Sequence, residues 1–352
     1  MSDELRVGLL GCGMISDEHL RAWSTCQGAR LVAVCDPAIE RARERAKGFA
    51  IPAVYASPSD MLERERLDAI DIVTPRETHA ELVRLAARHG VHALCEKPLC
   101  PAYDEAARLV AEVGDSIGVM VNENWRYRAY FVQVMQWMRE GRLGTVTQAR
   151  IALWRASMLP RPEDGRIHSL TRQPFLARES RVLIAESLVH EIDTMRAMFG
   201  EMALVGSSTA RTCDEIVGED SATLLLRTRD GLPVTIDGVM TAAGHAVRAP
   251  DRLEIAGTRC SVVLDNAVLR LIGAEECTIE YDEDEVRRGC FAASIQHFCD
   301  QVRGERRFWT SARDQLATLR LMEDAYRMAG EPRVLTPRAL PPVPPPIITG
   351  FN

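Results

Sequence analysis

Short apolar segments alternate with amphipathic segments over the first ~120 residues, and this alternation constrains the fold more than any other feature. Strands are predicted at 6–10, 30–35, 53–55, 69–73, 91–95 and 118–121. Apolar residues recur at i, i+3 and i+4 in the segments between them, which predicts helices at 17–25, 38–49, 58–64, 78–89 and 102–113. Strands that alternate with helices are typical of a parallel sheet covered on both faces. Residues 1–122 are therefore predicted to form a doubly wound α/β domain.

The apolar period changes after residue 122. A helix is predicted at 129–140, and period-two alternation then predicts strands at 145–156, 204–211, 222–227, 234–241, 252–255, 261–265 and 278–281. Further helices are predicted at 188–199, 291–302 and 312–328. The pattern indicates a second, α+β domain at 123–330 with a mostly antiparallel sheet. Residues 331–352 form a Pro-rich tail, either a ligand for a recognition domain or a docked or disordered arm.

Composition excludes several classes of protein. The net charge of -7 over 352 residues provides no basic field for nucleic acid. No apolar run approaches the ~20 residues that span a bilayer, and the N-terminus has acids where a signal peptide has its basic region, so a cytoplasmic location is expected. Ten scattered cysteines without a C-x-x-C pair predict free thiols and no metal site.

A glycine motif follows the first predicted strand. Gly11-x-Gly13-x-x-Ser16 stands between a strand and a helix, where Gly11 permits a tight turn and Gly13 lets a pyrophosphate approach the backbone. Met14 and Ile15 lie at the helix N-terminus, whose unpaired N–H groups bind anions. This context predicts a dinucleotide site.

Two further strand ends belong to that site. Asp36 ends the second strand, where a carboxylate accepts hydrogen bonds from ribose hydroxyls and repels a 2'-phosphate. NAD is therefore favoured over NADP, although nearby arginines could reach a phosphate, and Asp36 could also cap the next helix. Thr74-Pro75 ends the fourth strand beside the cofactor. His79 follows in the same loop and helix, as a cofactor-side residue or as a capping or surface histidine.

The fifth strand ends in Glu96-Lys97-Pro98. Proline pushes the residue before it out of the α region, so Lys97 would be held on a rigid extended turn that suits proton chemistry. If this motif is considered by itself, the alternative is that Lys97 is an ordinary surface lysine in a strand-to-helix loop.

Glu186, His190 and Asp193 lie at i, i+4 and i+7, so on a helix they share one face. A metal site is one alternative, but there is no H-E-x-x-H motif and no second histidine. A structural histidine satisfied by Asp193 is another. Acid and histidine on one face would also form a proton-handling pair in which the carboxylate sets tautomer and basicity.

Taken together, these motifs resemble the Gfo/Idh/MocA family of sugar and polyol dehydrogenases. The resemblance covers nearly the whole chain and rests on Gly11-x-Gly13-x-x-Ser16, Asp36, Thr74-Pro75, Glu96-Lys97-Pro98, Asn124-x-Arg126, His190-x-x-Asp193 and Phe199-Gly200. It implies an N-terminal Rossmann domain and a C-terminal domain with a large open sheet whose exposed face makes homodimers or homotetramers.

The resemblance also implies residue roles. Lys97 would contact the nicotinamide region and the reacting hydroxyl, and His190 would act as general acid/base. The family's acid four residues before this histidine is usually Asp, whereas this chain has Glu186. Its longer side chain could shift the substrate or take no part in the proton transfer. Asn124 and Arg126 match a motif that borders the substrate site.

A finer resemblance concerns the subgroup that contains D-apiose dehydrogenases. It rests on residues 123–126 and 172–177, and the subgroup usually has Gln-Lys-Pro where this chain has Glu96-Lys97-Pro98. Arg172 lies in a segment from 155 to 181 with six arginines, which could be a lid that reads an acidic sugar or a solvated subunit-contact arm.

The sequence therefore predicts reversible hydride transfer between NAD and the alcohol carbon of a sugar, polyol or sugar acid. Lys97, His190 and Glu186 are the catalytic candidates. Substrate contacts are expected from Asn124, Arg126, Arg172 and Asp193 in addition to Lys97 and His190. An NAD-using glycosidase and a non-catalytic ligand-sensing regulator are the alternatives on the same fold.

Overall fold

The first sheet is parallel and has six strands. The computed structural model describes residues 4–336. The strands lie in the order β3-β2-β1-β4-β5-β6. Their bounds are β1 Leu5–Leu10, β2 Ala29–Cys35, β3 Ala53–Tyr55, β4 Ala69–Ile72, β5 His92–Cys95 and β6 Val119–Val121. The order reverses between β1 and β4, the point at which doubly wound sheets bind ligands at their carboxyl edge. The predicted Rossmann fold is confirmed.

Five helices connect these strands, and all are close to their predicted bounds. They are α1 Ser16–Thr25, α2 Ile39–Phe49, α3 Pro58–Arg64, α4 His79–His89 and α5 Tyr103–Val113. The Ser57 side chain accepts a hydrogen bond from the Asp60 N–H at the start of α3, and Gly90 ends α4 at a φ of 69°. The apolar spacing of these segments and the glycines near their C-terminal ends, such as Gly90, made these bounds predictable.

The second sheet has nine strands and is mostly antiparallel. Its strand order is β14-β13-β12-β11-β7-β10-β9-β8-β15, and β10 runs parallel to β7 while β15 runs parallel to β8. The strands are β7 Val146–Trp154, β8 Met202–Arg211, β9 Ser221–Thr228, β10 Pro233–Val239, β11 Arg252–Gly257, β12 Cys260–Asp265, β13 Val268–Gly273, β14 Cys277–Glu280 and β15 Arg333–Val334. Residues of β9 alternate between buried and exposed, so one face of the sheet is open to solvent.

The sequence did not predict β13. It forms a hairpin with β12 through Asn266 and Ala267, which have φ values of 49° and 60°. Two positive φ values are typical of a type I′ turn, whose usual signal is Asn-Gly. Alanine in place of glycine hid that signal.

Five α-helices belong to the described residues of the second half of the chain. They are α6 Ala129–Arg139, α7 His168–Arg172, α8 Val189–Phe199, α9 Glu283–Arg303 and α10 Ala312–Ala329. The helix α9 begins eight residues before its prediction, because Asp282 caps it and three acids form its first turn. Acids are favourable at a helix N-terminus but carry no apolar period. The Pro-rich stretch at 340–346 lies outside the described residues.

One helix of the second half completes the core of the first sheet. Phe291, Ile295 and Phe298 of α9 pack with Trp23 of α1 and Leu94 of β5 in one buried apolar cluster. Trp23 and Phe298 meet edge to face with ring centroids 6.4 Å apart. The two sheets are therefore joined through a shared core as well as through the chain.

Three general properties hold over residues 4–336. No helix is long and apolar enough to cross a membrane. No group of three or more His, Cys, Asp or Glu side chains could hold a metal ion. All ten cysteines are free thiols, and eight of them are buried.

Candidate active site

The glycine loop after β1 leaves room for a dinucleotide. Gly11 has a φ of 96°, and a Cβ there would lie 2.5 Å from the Val73 carbonyl oxygen, so only glycine fits. A Cβ at Gly13, in contrast, would meet no heavy atom within 4 Å. Gly13 therefore faces open space at the N-terminus of α1, with Met14 half exposed beside it. This cradle fits a pyrophosphate group.

The Asp36 carboxylate both stabilises the local backbone and remains able to bind a ribose. One carboxylate oxygen accepts the Cys12 N–H and the other accepts the Ala38 N–H, each at 2.8 Å. The carboxylate thus braces the glycine loop and the start of α2. Each oxygen has further lone-pair capacity, so these contacts leave Asp36 able to accept from ribose hydroxyls.

His79 is a brace between two loops and is not a surface residue. Its side chain is buried, with Nδ1 2.9 Å from the Pro98 carbonyl oxygen and Nε2 2.9 Å from the Thr74 carbonyl oxygen. Both ring nitrogens of His79, which was predicted as a cofactor-side residue, are therefore engaged by backbone carbonyls. His79 can act on the cofactor only through the Thr74-Pro75 loop, where the Thr74 and Thr78 hydroxyls also bond at 2.7 Å.

Lys97 points into the space between the two sheets. Its Nζ donates to the Glu186 backbone carbonyl at 3.1 Å and lies 3.5 Å from the Glu186 carboxylate. The side chain is 15% exposed, which is too buried for a surface lysine. The other Glu186 oxygen lies 2.5 Å from Nη1 of Arg76, whose Nη2 lies 2.7 Å from Glu179.

The Glu186 side chain, which is longer than the usual aspartate, contacts two cations. Glutamate reaches Arg76, on the loop after β4, while it still faces Lys97. With Glu77 and Glu179, which also pair with Arg76, two cations and three carboxylates form one cluster that joins the cofactor side to the second half of the chain. Arg76 was not predicted as a site residue, although its place four residues after the parallel strand β4 was an available signal.

His190 is paired with Glu123, and not with Asp193, which was one of the partners that the helical spacing allowed. Its Nδ1 contacts the Glu123 carboxylate, and its ring stacks on Trp125 with centroids 4.3 Å apart and planes 10° apart. Burial lowers the pKa of His190 well below its usual value, and Lys97 and Arg128 add to the effect. Burial also raises the pKa of Glu123 well above its usual value, with a further contribution from Asp193.

Both groups of this pair are therefore driven toward their uncharged forms. The second Glu123 oxygen is buried without a hydrogen-bond partner, which agrees with that direction. With Nδ1 fixed on Glu123, Nε2 of His190 is the nitrogen left to face a substrate. Glu123 was also missed, although it follows β6 by two residues at the same sheet edge as Lys97.

Asp193 and Arg126, both predicted as substrate contacts, form a buried ion pair with each other. Arg126 is 3% exposed and donates to Asp193 at 2.5 and 2.7 Å, to Asp314 at 2.6 Å and to the Trp309 carbonyl at 2.9 Å. Asp193 is fully buried and also accepts from Gln315 and Thr318. Neither side chain is left free for a substrate.

A π-helical turn explains why the predicted helical face failed. Residues Ile184–Leu188 form that turn directly before α8. The extra residue per turn breaks the register between Glu186 and the helix that carries His190 and Asp193. Such turns are frequent at functional sites, and here the turn aims Glu186 at Lys97 and Arg76.

Two other predicted substrate residues have different surroundings. Asn124 is buried in a short 3₁₀ helix beside Trp125 and Arg126. Arg172, at the end of α7, is exposed and its Nε lies 3.4 Å from the Met14 sulfur. The structure thus places Arg172 at the glycine loop, which indicates the cofactor side of the cleft.

Several known proteins resemble this chain along most of its length. A family described as an oxidoreductase family with an NAD-binding Rossmann fold matches residues 5–122, and the GFO/IDH/MocA C-terminal domain matches residues 131–263. A D-apiose dehydrogenase from Paraburkholderia graminis is 31% identical over 94% of this chain and 89% of its own length. An inositol 2-dehydrogenase from Rhizobium meliloti is 27% identical over 94% and 99%.

A solved structure agrees with these relatives. An oxidoreductase from Agrobacterium radiobacter in complex with NAD+, L-tartaric acid and magnesium superposes with a TM-score of 0.85 at 26% identity. The match covers 93% of this chain and 96% of that chain. The glycine cradle, Asp36 and the carboxyl edge of β4 and β5 fit the NAD site that the family description states. The chain belongs to the Gfo/Idh/MocA family of NAD-binding oxidoreductases.

Proposed function

We propose that this protein transfers a hydride between NAD and the hydroxyl-bearing carbon of a sugar, polyol or sugar acid. The observation that carries the proposal is the convergence of Lys97, Glu186 and the His190–Glu123 pair beside the glycine cradle. The D-apiose and inositol dehydrogenases among the relatives support this substrate class.

Each side chain has a separate task. Bound NAD supplies the hydride acceptor. Lys97 donates a hydrogen bond to the reacting oxygen and stabilises its developing negative charge. Glu186 holds the ammonium group of Lys97 in place, and Arg76 keeps Glu186 from forming a closed pair with that lysine alone. His190 takes the hydroxyl proton at Nε2.

Glu123 lets His190 accept this proton inside a buried site. With a carboxylate on Nδ1–H, the imidazole presents its Nε2 lone pair to the alcohol. When a proton arrives at Nε2, the Nδ1 proton can move to Glu123 and leave both groups uncharged. Because burial favours the uncharged form of each group, the pair avoids an isolated imidazolium next to Lys97.

An NADH absorbance assay with a panel of sugars, polyols and sugar acids tests the proposal. Lys97→Ala should lower turnover by about 10²- to 10⁴-fold, in the range of general acid–base and electrostatic contributions, while NAD still binds. Full activity of this variant would contradict the mechanism. Cleavage of aryl glycosides without net NADH formation would instead identify an NAD-using glycosidase.

We also propose the organisation around this reaction. Residues 1–122 bind the cofactor, and residues 123–330 bind the substrate and form subunit contacts. The open face of the second sheet exposes Val205, Leu225 and Ile272, which favours a homodimer or homotetramer through this face. Light scattering coupled to gel filtration measures the assembly, and Leu225→Lys should dissociate it. The free thiols favour a reducing, cytoplasmic location.

A further inference from the structure

A buried histidine lies between two carboxylates beneath the site. His19 of α1 is fully buried, with Nδ1 2.8 Å from Asp71 Oδ2 and Nε2 2.9 Å from Glu96 Oε1. The Trp23 indole donates to the same Asp71 oxygen at 2.7 Å, and the Asn122 amide donates to the same Glu96 oxygen at 2.8 Å. We call Asp71, His19 and Glu96 the buried triad.

The geometry fixes the charge of the buried triad. Carboxylate oxygens accept hydrogen bonds, so an imidazole that faces one on each side must donate from both nitrogens and is an imidazolium. Two carboxylates around one imidazolium leave a net charge of -1. Burial opposes charge, but Asp71 and Glu96 raise the pKa of His19 to about 10. His19 and Asn122 likewise overcome burial and lower the pKa of Glu96 to about 2.

This charge is adjacent to the reacting centre. Glu96 immediately precedes Lys97 at the carboxyl end of β5, and its second oxygen lies 3.3 Å from the Lys97 backbone N–H. The Glu96 side chain is 14% exposed, whereas His19 and Asp71 are not exposed at all. The triad therefore presents its charge to the cleft through one carboxylate.

The two cations nearest to Glu186, Lys97 and Arg76, do not cancel this charge. Lys97 and Arg76 are engaged by Glu186, Glu179 and Glu77, so two positive charges face three negative ones. The negative charge of the triad remains in excess. The oxidised nicotinamide ring is cationic and the reduced ring is neutral, so a fixed negative charge beside the ring distinguishes the two forms.

We propose that the buried triad makes this site bind NAD+ more tightly relative to NADH, and so favours release of the reduced cofactor. The inference rests on the proposed function, because that function places the nicotinamide beside Lys97. His19 is a positioning residue here: it holds the Glu96 carboxylate charged without contacting the cofactor. The quantity that reports this effect is the ratio Kd(NADH)/Kd(NAD+), which the buried triad should raise.

Binding titrations of NAD+ and NADH without substrate test the proposal. Glu96→Gln keeps the shape of the side chain and removes its charge. At the effective dielectric of about 20 that suits protein sites, loss of one unit charge a few ångströms from the ring should lower the ratio Kd(NADH)/Kd(NAD+) by about tenfold or more. Asp71→Asn, on the far side of His19, should lower the same ratio by a smaller factor.

Asp36→Asn is the matched control, since it removes a carboxylate from the adenosine end of the cofactor cradle. It should weaken NAD+ and NADH equally and leave the ratio unchanged. A ratio within about twofold of the original in both Glu96→Gln and Asp71→Asn, with both cofactors still bound, would overturn the inference while the proposed function stands. A protein that binds neither cofactor would instead contradict the proposed function. If circular dichroism shows that Glu96→Gln does not fold, Asp71→Asn alone provides the test.

Discussion

Replacement of Glu123 by glutamine isolates the part that a carboxylate plays in proton transfer at His190. Glutamine has nearly the same shape, and the Trp125 stack that orients the imidazole, with centroids 4.3 Å apart, is independent of position 123. The substitution removes the carboxylate that contacts His190. Any large effect on turnover therefore reports proton handling and not a lost fold.

The magnitude follows from the surroundings of the imidazole. Burial, Lys97 and Arg128 already lower the pKa of His190. Without Glu123, a proton at Nε2 creates an imidazolium that no adjacent carboxylate neutralises. We expect Glu123→Gln to reduce kcat by about 10²- to 10⁴-fold, the usual range for general acid–base catalysis. The affinity for NAD+ should be nearly unchanged, because the residue lies outside the glycine cradle.

The pH profile of alcohol oxidation provides a second measurement. Oxidation requires the His190–Glu123 pair to lack one proton, and burial raises the pKa of Glu123, so the pair keeps that proton to a higher pH than an ordinary glutamate would. The rate of the original protein should rise with pH through this raised pKa. In Glu123→Gln only His190, with its lowered pKa, remains to titrate, so the rise should move to lower pH and reach a lower plateau.

The control is Glu179→Gln, which removes a carboxylate of the cleft that contacts Arg76 and not His190. In Glu179→Gln, the rise of the oxidation rate with pH should occur at the same pH as in the original protein. If the oxidation rate of Glu123→Gln rises at the same pH and reaches the same maximum as that of the original protein, Glu123 takes no part in the proton transfer and the reasoning is refuted.

Three further predictions concern the cradle, the cluster and the buried ion pair. Gly13→Ala should weaken NAD binding without a change in melting temperature, whereas Gly11→Ala should lower the melting temperature itself, because only the latter Cβ meets the backbone. Arg76→Ala should lower kcat/KM by about 10- to 100-fold, because it removes the hydrogen bond to Glu186 and one charged hydrogen bond contributes about 1.5–3 kcal/mol. Arg76→Lys should restore only part of the activity, because a single ammonium group lacks the guanidinium fork. Arg126→Ala should lower the free energy of unfolding by about 3–5 kcal/mol in denaturant titrations, as loss of one partner of a buried pair does, while Arg21→Ala, in an exposed pair, should leave it unchanged.

The sequence was sufficient where local rules decide the outcome. The strand-loop-helix context of Gly11 and Gly13, and the periods of the apolar residues, are properties of neighbours in the chain. They predicted the six-stranded sheet, most of the second sheet and the edge at which Lys97 stands. The family resemblance added the general role of His190.

The partners of these residues were not predictable in the same way. His190 and Asp193 are three residues apart on α8, yet His190 contacts Glu123 and Asp193 contacts Arg126, both 67 residues away. A π-helical turn, which leaves no clear mark in composition, changed the direction of Glu186. Contacts between distant segments depend on packing that spacing along one helix does not report.

The helix α9 has a consequence for how the protein is made. Phe291, Ile295 and Phe298 of this helix cover an apolar region of the first sheet that includes Leu94 and Trp23. When the ribosome has completed the sixth strand, which ends at Val121, that region still lacks its cover, and about 160 residues must be synthesised before α9 begins at Glu283. The cofactor half therefore reaches its native core only after α9 has been synthesised, and a fragment that ends at residue 122 would expose an aggregation-prone face.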